Sequence, residues 1–208
     1  MLLDWWLGVE GISYLSERDI GALITLSVVS GGDLGRLEAT GAKNFLDLDD
    51  VSVADEGEPV NTQSIISLPL ANQRCVLPKF ERSPSDPFLR QVDASGMKWV
   101  IVTDSTGEPV FVLDAHHFLR DALFDQLGSD PTAYWHRPII VRDMQTRLGD
   151  VIGRMRVAPQ RPDDDVIDND LILVWGSQQK RIITGADLLG RLLRGITTVD
   201  AARALLPG

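Results

Sequence analysis

Cysteine is almost absent from this chain of 208 residues: Cys75 stands alone beside three histidines, and aromatic side chains make up 6%. A single cysteine excludes an internal disulfide, so packing alone must hold the monomer, and a reducing compartment suits it. Cys75 itself reads as a small core hydrophobe. Histidine spacing gives no zinc site: His116 and His117 are adjacent and diverge by about 100° on a helix, while His136 follows a tryptophan in what reads as a loop. No apolar run approaches the ~18 residues of a membrane span, and no charged-then-apolar leader is present. There is no nucleophile elbow, and SGGDLG at 30–35 lacks the Lys-Ser/Thr ending of a phosphate-gripping loop. With no catalytic constellation, the chain reads as a non-enzyme. Basic residues are also in deficit, 20 Lys and Arg against 30 Asp and Glu, for a net charge of −10. That balance repels phosphate backbones, so nucleic acid is not an expected partner.

What is present is an ordinary globular composition, 44% hydrophobic and 24% charged. The length suits two small, intimately packed units. The N-terminal stretch is helical in pieces, with Ser16 and Asp19 as a capping box and Ile20, Leu23, Ile24 and Leu26 to Val28 as an apolar face. Trp5 and Trp6 read as packing residues. A second helical piece, DLGRLEATGAKNFLDL, carries Leu34, Leu37, Ala42, Phe45 and Leu46. IISL is a short strand, LPKFERSPSDPF a Pro-marked loop, and WVIVTDSTGEPVFVLDAHHFLRDALF reads as strand, Gly turn, strand, helix. PIIV is a strand and TRLGDVIGRM a helix with Leu148, Val151, Ile152 and Met155 on one side. LILVWGSQQKRIITGADLLGRLLRGI again gives strand, turn, strand, helix. Two acidic groups read as solvated loops without EF-hand spacing. One is Asp163, Asp164, Asp165, Asp168 and Asp170; the other is Asp47, Asp49, Asp50, Asp55, Glu56 and Glu58.

Placing Asp114 on Thr184 aligns FVLDAHHFLRDAL with RIITGADLLGRLL without a gap. A period of ~70 residues exceeds that of most solenoid repeats and suits a tandem of two small α/β units that must pack on each other. At the second strand-to-helix junction Thr184 can cap the helix while Asp187 returns a hydrogen bond to the cap. The same geometry offers free N–H groups and a positive helix end to a phosphate, with a carboxylate placed to accept from ribose hydroxyls. Cap and nucleotide site both remain open on these grounds.

The tandem and the run RIITGADLL resemble a CBS-domain pair, or Bateman module. Its signature is a small residue, two apolar residues, Thr or Ser, two variable residues, then Asp. Ile182, Ile183, Thr184 and Asp187 match it, and Arg181 stands where Gly is usual. The resemblance implies that Asp187 holds ribose hydroxyls of an adenine nucleotide, ATP or AMP with Mg2+, and that Thr184 meets phosphate or ribose. Arg181 flanks the site, and Ile140 and Ile182 wall it. In the first copy Asp114 and His117 replace the Thr and Asp, so that copy is not expected to be an ordinary nucleotide site.

A second resemblance spans nearly the whole chain. LLDWWLGVEGISYLSERDIGALI followed by EATGAKNFLDLDDVSVADEGEPVNTQSIISLP is similar in layout to the segment between membrane domain and CBS pair in CorC/CNNM-type proteins of magnesium and divalent-cation transport. It implies an α/β fold with a helical linker over 1–48, a first CBS unit over 49–127 and a second over 128–208. It further implies a membrane domain upstream, a position at the cytoplasmic face of the membrane, and homodimerisation through the CBS pair. A purely structural dimerisation module is the rival reading.

Overall fold

The computed structural model describes residues 36–71, 74–124, 131–156 and 166–196. The expectations placed on Trp5, Trp6, the Ser16–Asp19 cap and Asp163 to Asp165 lie outside them. The chain divides into two compact units, Val51–Asp187 and a smaller one formed by Met1–Asp50 with Leu188–Gly208.

The larger unit is built on one seven-stranded sheet. Its strands are β1 (Glu58–Pro59), β2 (Ile65–Ser67), β5 (Trp99–Thr103), β6 (Pro109–Asp114), β7 (Trp135–Val141), β8 (Ile167–Trp175) and β9 (Lys180–Ile183), in the order β1-β9-β8-β7-β6-β5-β2. A separate two-stranded ribbon pairs β3 (Leu70–Ala71) with β4 (Arg74–Cys75). β2 runs parallel to β5 and β7 parallel to β8, while the other neighbours are antiparallel. The β-branched runs of β5, β6, β8 and β9 explain why these segments are extended.

The first and second strands occupy opposite edges of this sheet, although Ile65 is only six positions after Pro59. Six residues reach at most roughly 20–22 Å. Seven strands laid flat would hold their edges roughly 29 Å apart, so the sheet must curl. Two features pin the β1 end of this link to β9. Val60 N–H donates to the Lys180 carbonyl at 3.0 Å. The Arg181 guanidinium donates through Nε to the Glu56 carbonyl at 2.7 Å and through Nη2 to that of Gly57 at 2.5 Å. Gly57 has φ +68°, and a Cβ there would lie 2.1 Å from the Ile182 carbonyl oxygen, so only glycine fits.

Strand alternation sends side chains to two faces. On one, α2 (Pro87–Asp93) and α3 (Ala115–Phe124) cover Val100, Val102, Phe111, Leu113 and Trp135 with Phe88, Leu89, Val92 and Phe118. Phe80, Phe88 and Phe118 meet at ring-centroid separations of 5.8 to 6.1 Å. The scarce aromatics are thus concentrated here, where each buried ring contributes about 1.5–3 kcal/mol, more than any single cap. Helix α2 starts at the end of the stretch read as a loop and runs past it; Asp86 caps it, accepting from Phe88 N–H at 2.9 Å and Leu89 N–H at 3.1 Å, with Pro87 at its first position. On the opposite face Ile101, Val112, Leu171, Leu173, Trp175 and Ile182 form a second apolar cluster, with Trp99 and Ile140 packed against it.

Other expectations need correction. α4 is only Leu148–Ile152, because the chain leaves the helix at Gly153; Met155 lies beyond it. The first acidic group is not all solvated loop: Asp168 and Asp170 belong to β8. Glu56, of the second group, is buried. In the smaller unit α1 (Arg36–Asp49) forms where expected, yet Leu37 and Phe45 are 63% and 58% exposed while Ala39 and Leu48 are buried. The Asn44 amide of α1 donates at 2.8 Å to the carbonyls of Leu192 and Arg194.

Two outcomes follow from these contacts. Gly57→Ala is expected to cost about 2–4 kcal/mol in urea unfolding, and a loss below about 0.5 kcal/mol would contradict a closure that depends on this residue. Burial pushes the Cys75 thiol from 9.0 up to about 11. At neutral pH the folded chain should therefore react with an alkylating reagent roughly a hundredfold more slowly than a free thiol, and denaturant should restore the rate.

Candidate functional site

Strand β9 ends at Ile183 and α5 (Gly185–Leu192) starts after Thr184. Thr184 donates from its backbone N–H and from Oγ1 to Asp187 Oδ2, each at 2.7 Å, and Asp187 N–H returns a bond to Thr184 Oγ1 at 3.4 Å. This is a reciprocal capping box. Both residues are half-buried, and Asp187 Oδ1 takes none of these bonds. Two residues back, Ile182 pairs with Leu173, and Leu173 pairs with Ile140. Ile140, Leu173 and Ile182 thus form one apolar rung across β7, β8 and β9, and all belong to the second-face cluster. The structure therefore brings Ile140 and Ile182 together and leads from them to Thr184 and Asp187. Arg181 behaves differently. Alternation turns it to the face opposite Ile182, and its guanidinium is committed to the Glu56 and Gly57 carbonyls.

The first junction has the same backbone geometry with other chemistry. Asp114, buried at the end of β6, accepts from His117 N–H at 3.2 Å, and its Oδ2 pairs with His117 Nδ1 at 2.9 Å. Lys98 Nζ stands 3.6 Å from the same carboxylate. Burial opposes ionisation of Asp114, but the hydrogen bonds from the His117 ring and backbone, with the nearby Lys98 and His117 charges, outweigh it and hold the carboxyl below its usual value. The ionised carboxylate directs the His117 ring, which stacks on Tyr134 with 12° between planes, and the Tyr134 hydroxyl donates to Asp121. Asp114 thus places a carboxylate where the second junction has the Thr184 hydroxyl.

Between the two junctions lies a pair that sequence reasoning missed. His136, read as a loop residue, sits in β7 and is 8% exposed. Its Nδ1 is 2.8 Å from Asp170 Oδ2, and the Trp99 ring meets it edge-on at 5.2 Å. Asp170 reaches this position because β8 bulges: Arg137 pairs with Asp168 but Ile139 with Ile172, so β8 advances four residues while β7 advances two. Asn169, at φ +59°, turns the bulge, and its carbonyl accepts from Arg156 N–H at 2.8 Å. The sequence held two signals for this pair: WHRPIIV is long enough for a seven-residue strand, and Asn is the residue that best tolerates a left-handed backbone. Among the described residues, no group of three or more His, Cys, Asp or Glu gathers as for a metal, and no helix is long and apolar enough to cross a membrane.

No protein-family model and no curated protein matches this sequence. Solved structures do resemble the fold, two CBS domains among them. One is the CBS domain of a bacterial CNNM/CorC family Mg2+ transporter in complex with an inhibitor; it has 14% identity and a TM-score of 0.52, and the match covers 89% of this chain and 100% of that one. The other is the CBS domain of a bacterial CNNM/CorC family Mg2+ transporter, again at 14% identity and TM-score 0.52, covering 89% of this chain and 99% of that one. The chain therefore has the α/β fold of these CBS domains.

Because the folded Asp114 carboxyl lies below its ordinary range, its contribution to stability is complete above that range and is lost as pH falls through the lowered value. Asp114→Asn should flatten the acid limb of the urea-midpoint profile between about pH 6 and about pH 3. Equal acid slopes for parent and variant would contradict the assignment.

Proposed function

We propose that the chain is a regulatory module of CBS-pair type, serving a membrane protein of divalent-cation transport, magnesium foremost, and sensing an adenine nucleotide. The observation that carries this reading is the Thr184–Asp187 junction. A half-buried hydroxyl and carboxylate stand one turn apart at a helix N-terminus, beside an apolar rung that includes Ile140 and Ile182. Such a carboxylate can accept from two vicinal ribose hydroxyls, and the first-turn N–H groups of α5 can receive phosphate, as ATP or AMP with Mg2+ would require. The likeness to CBS domains of an Mg2+ transporter supports the cation-transport assignment. The same proposal includes a homodimer at the cytoplasmic face of a membrane, with the tandem division at 49–127 and 128–208. In its favour, β2, β5, β6 and α3 follow the order of parallel pair, antiparallel hairpin and helix, and β7, β8, β9 and α5 follow it again. Nucleotide would act by binding one arrangement of the module more tightly than another.

One observation favours a second reading, a structural module without ligand: the reciprocal bonds of Thr184 and Asp187 already satisfy both side chains as caps. Calorimetric titration of the chain with ATP, ADP and AMP, with and without Mg2+, separates the two. In the sensor reading a nucleotide binds the parent, and Asp187→Ala weakens it by about tenfold or more while unfolding stays cooperative. Absence of binding at millimolar nucleotide leaves the caps as the whole role of Thr184 and Asp187.

A further inference from the structure

We propose that helix α5 is a two-ended relay between the Thr184–Asp187 junction and helix α1, with Asn44 as the positioning residue at its far end. The helix has eight residues, and none of them is buried. Helices under about 12 residues are marginal in water, and without a buried side chain α5 has little packing to make up the difference. Its hold therefore rests on its ends, where the first N–H and last C=O groups have no partner inside the helix.

The near end is closed by the capping box, in which Thr184 donates to Asp187 Oδ2 and Asp187 N–H donates back to Thr184 Oγ1. The far end is closed from another element. The Asn44 side-chain amide donates to the carbonyls of Leu192, the last helical residue, and of Arg194, both at 2.8 Å. Thr40 and Gly41 stand on the same stripe of α1, one turn before Asn44. A Cβ placed on Gly41 would lie 3.6 Å from Ile196 Cδ1, and one placed on Gly195 would lie 3.9 Å from Thr40 Cγ2, so α1 lies against the chain just after α5. Gly195 itself, at φ +74°, ends the helical course.

Because α5 has little more than two turns, it frays as one unit, and a loss at either end is felt at the other. The boundary between the two compact units falls inside it, between Asp187 and Leu188. What happens at the junction thus reaches the smaller unit along a helix that both share. A ligand hydroxyl that draws Asp187 Oδ2 away from Thr184 opens the box, and an anion at the first-turn N–H groups tightens that end. Each changes how firmly Asn44 grips the last turn, and so how α1 is held. The coupling belongs to the free chain; that a nucleotide drives it rests on the sensor reading.

The test therefore needs no ligand. Backbone amide exchange of the full chain is measured for the parent, for Asp187→Ala and for Asn44→Ala. The far end reports through Leu193 N–H, which donates to the Leu189 carbonyl at 2.9 Å, and the near end through Asp187 N–H, which donates to the Thr184 carbonyl at 3.1 Å. The expected result is crosswise: Asp187→Ala speeds exchange at Leu193, and Asn44→Ala speeds it at Asp187, each by about fivefold or more. Val60 N–H, which donates to the Lys180 carbonyl in the sheet, keeps its parent rate, and this separates the relay from a general loss of fold. Faster exchange confined to the substituted end overturns the proposal. If Val60 changes as well, or a variant fails to fold, the parent alone decides. Its Asp187 and Leu193 amides must then share one opening equilibrium with the same urea dependence, and protection factors more than about tenfold apart overturn the relay. Absence of nucleotide binding in the calorimetric titration removes the sensor reading and leaves the exchange result standing.

Discussion

Everything in the larger unit depends on one short connection. The residues between Pro59 and Ile65 cannot span a flat seven-stranded sheet, yet β1 and β2 occupy its two edges. The sheet must bend until those edges come within reach of that connection, and the bend brings them closer than a flat sheet would. Arg181 secures the join by reaching backbone carbonyls instead of an acidic side chain. That choice explains why an arginine stands at the start of RIITGADLL: it serves the seam of the sheet, on the face turned away from Ile182.

The two strand-to-helix junctions show one backbone solution with two chemistries. In each, the residue just before the helix accepts from the N–H three positions on, through Asp114 in the first and Thr184 in the second. The fold needs only that cap. What the junction can receive is set by the rest: a carboxylate, an imidazole and an ammonium at the first, a hydroxyl and a carboxylate at the second. One local geometry therefore carries two different sets of polar groups.

Much of the architecture was legible because its signals are local. The runs WVIVT, PVFVLD, LILVW and KRII are β-branched and appear as β5, β6, part of β8 and β9. The helices after them begin where Asp114 and Thr184 announce a cap. Legibility failed where position depends on partners distant in sequence. Asp170 lies in an acidic run that composition assigns to solvent, and only the register shift against β7 turns it inward. Leu37 and Phe45 follow helical spacing, but the buried positions of α1 are Ala39 and Leu48. Small helices were lost for another reason: α2 has seven residues, too few for a period to show, and its Asp86-Pro87 start looks like the loop around it.

The seam has a consequence in time as well as in space. Arg181 bonds Glu56 across 125 positions of sequence, and among the described strands β1 pairs with β9. The hairpins β5–β6 and β8–β9 can form as soon as their own residues are available, whereas β1 must wait for nearly the whole larger unit. A chain emerging from the ribosome would carry Glu58 and Pro59 unpaired until residue 183 had followed. Closing the sheet is thus the last long-range step of folding, and the one for which loop-closure entropy is greatest.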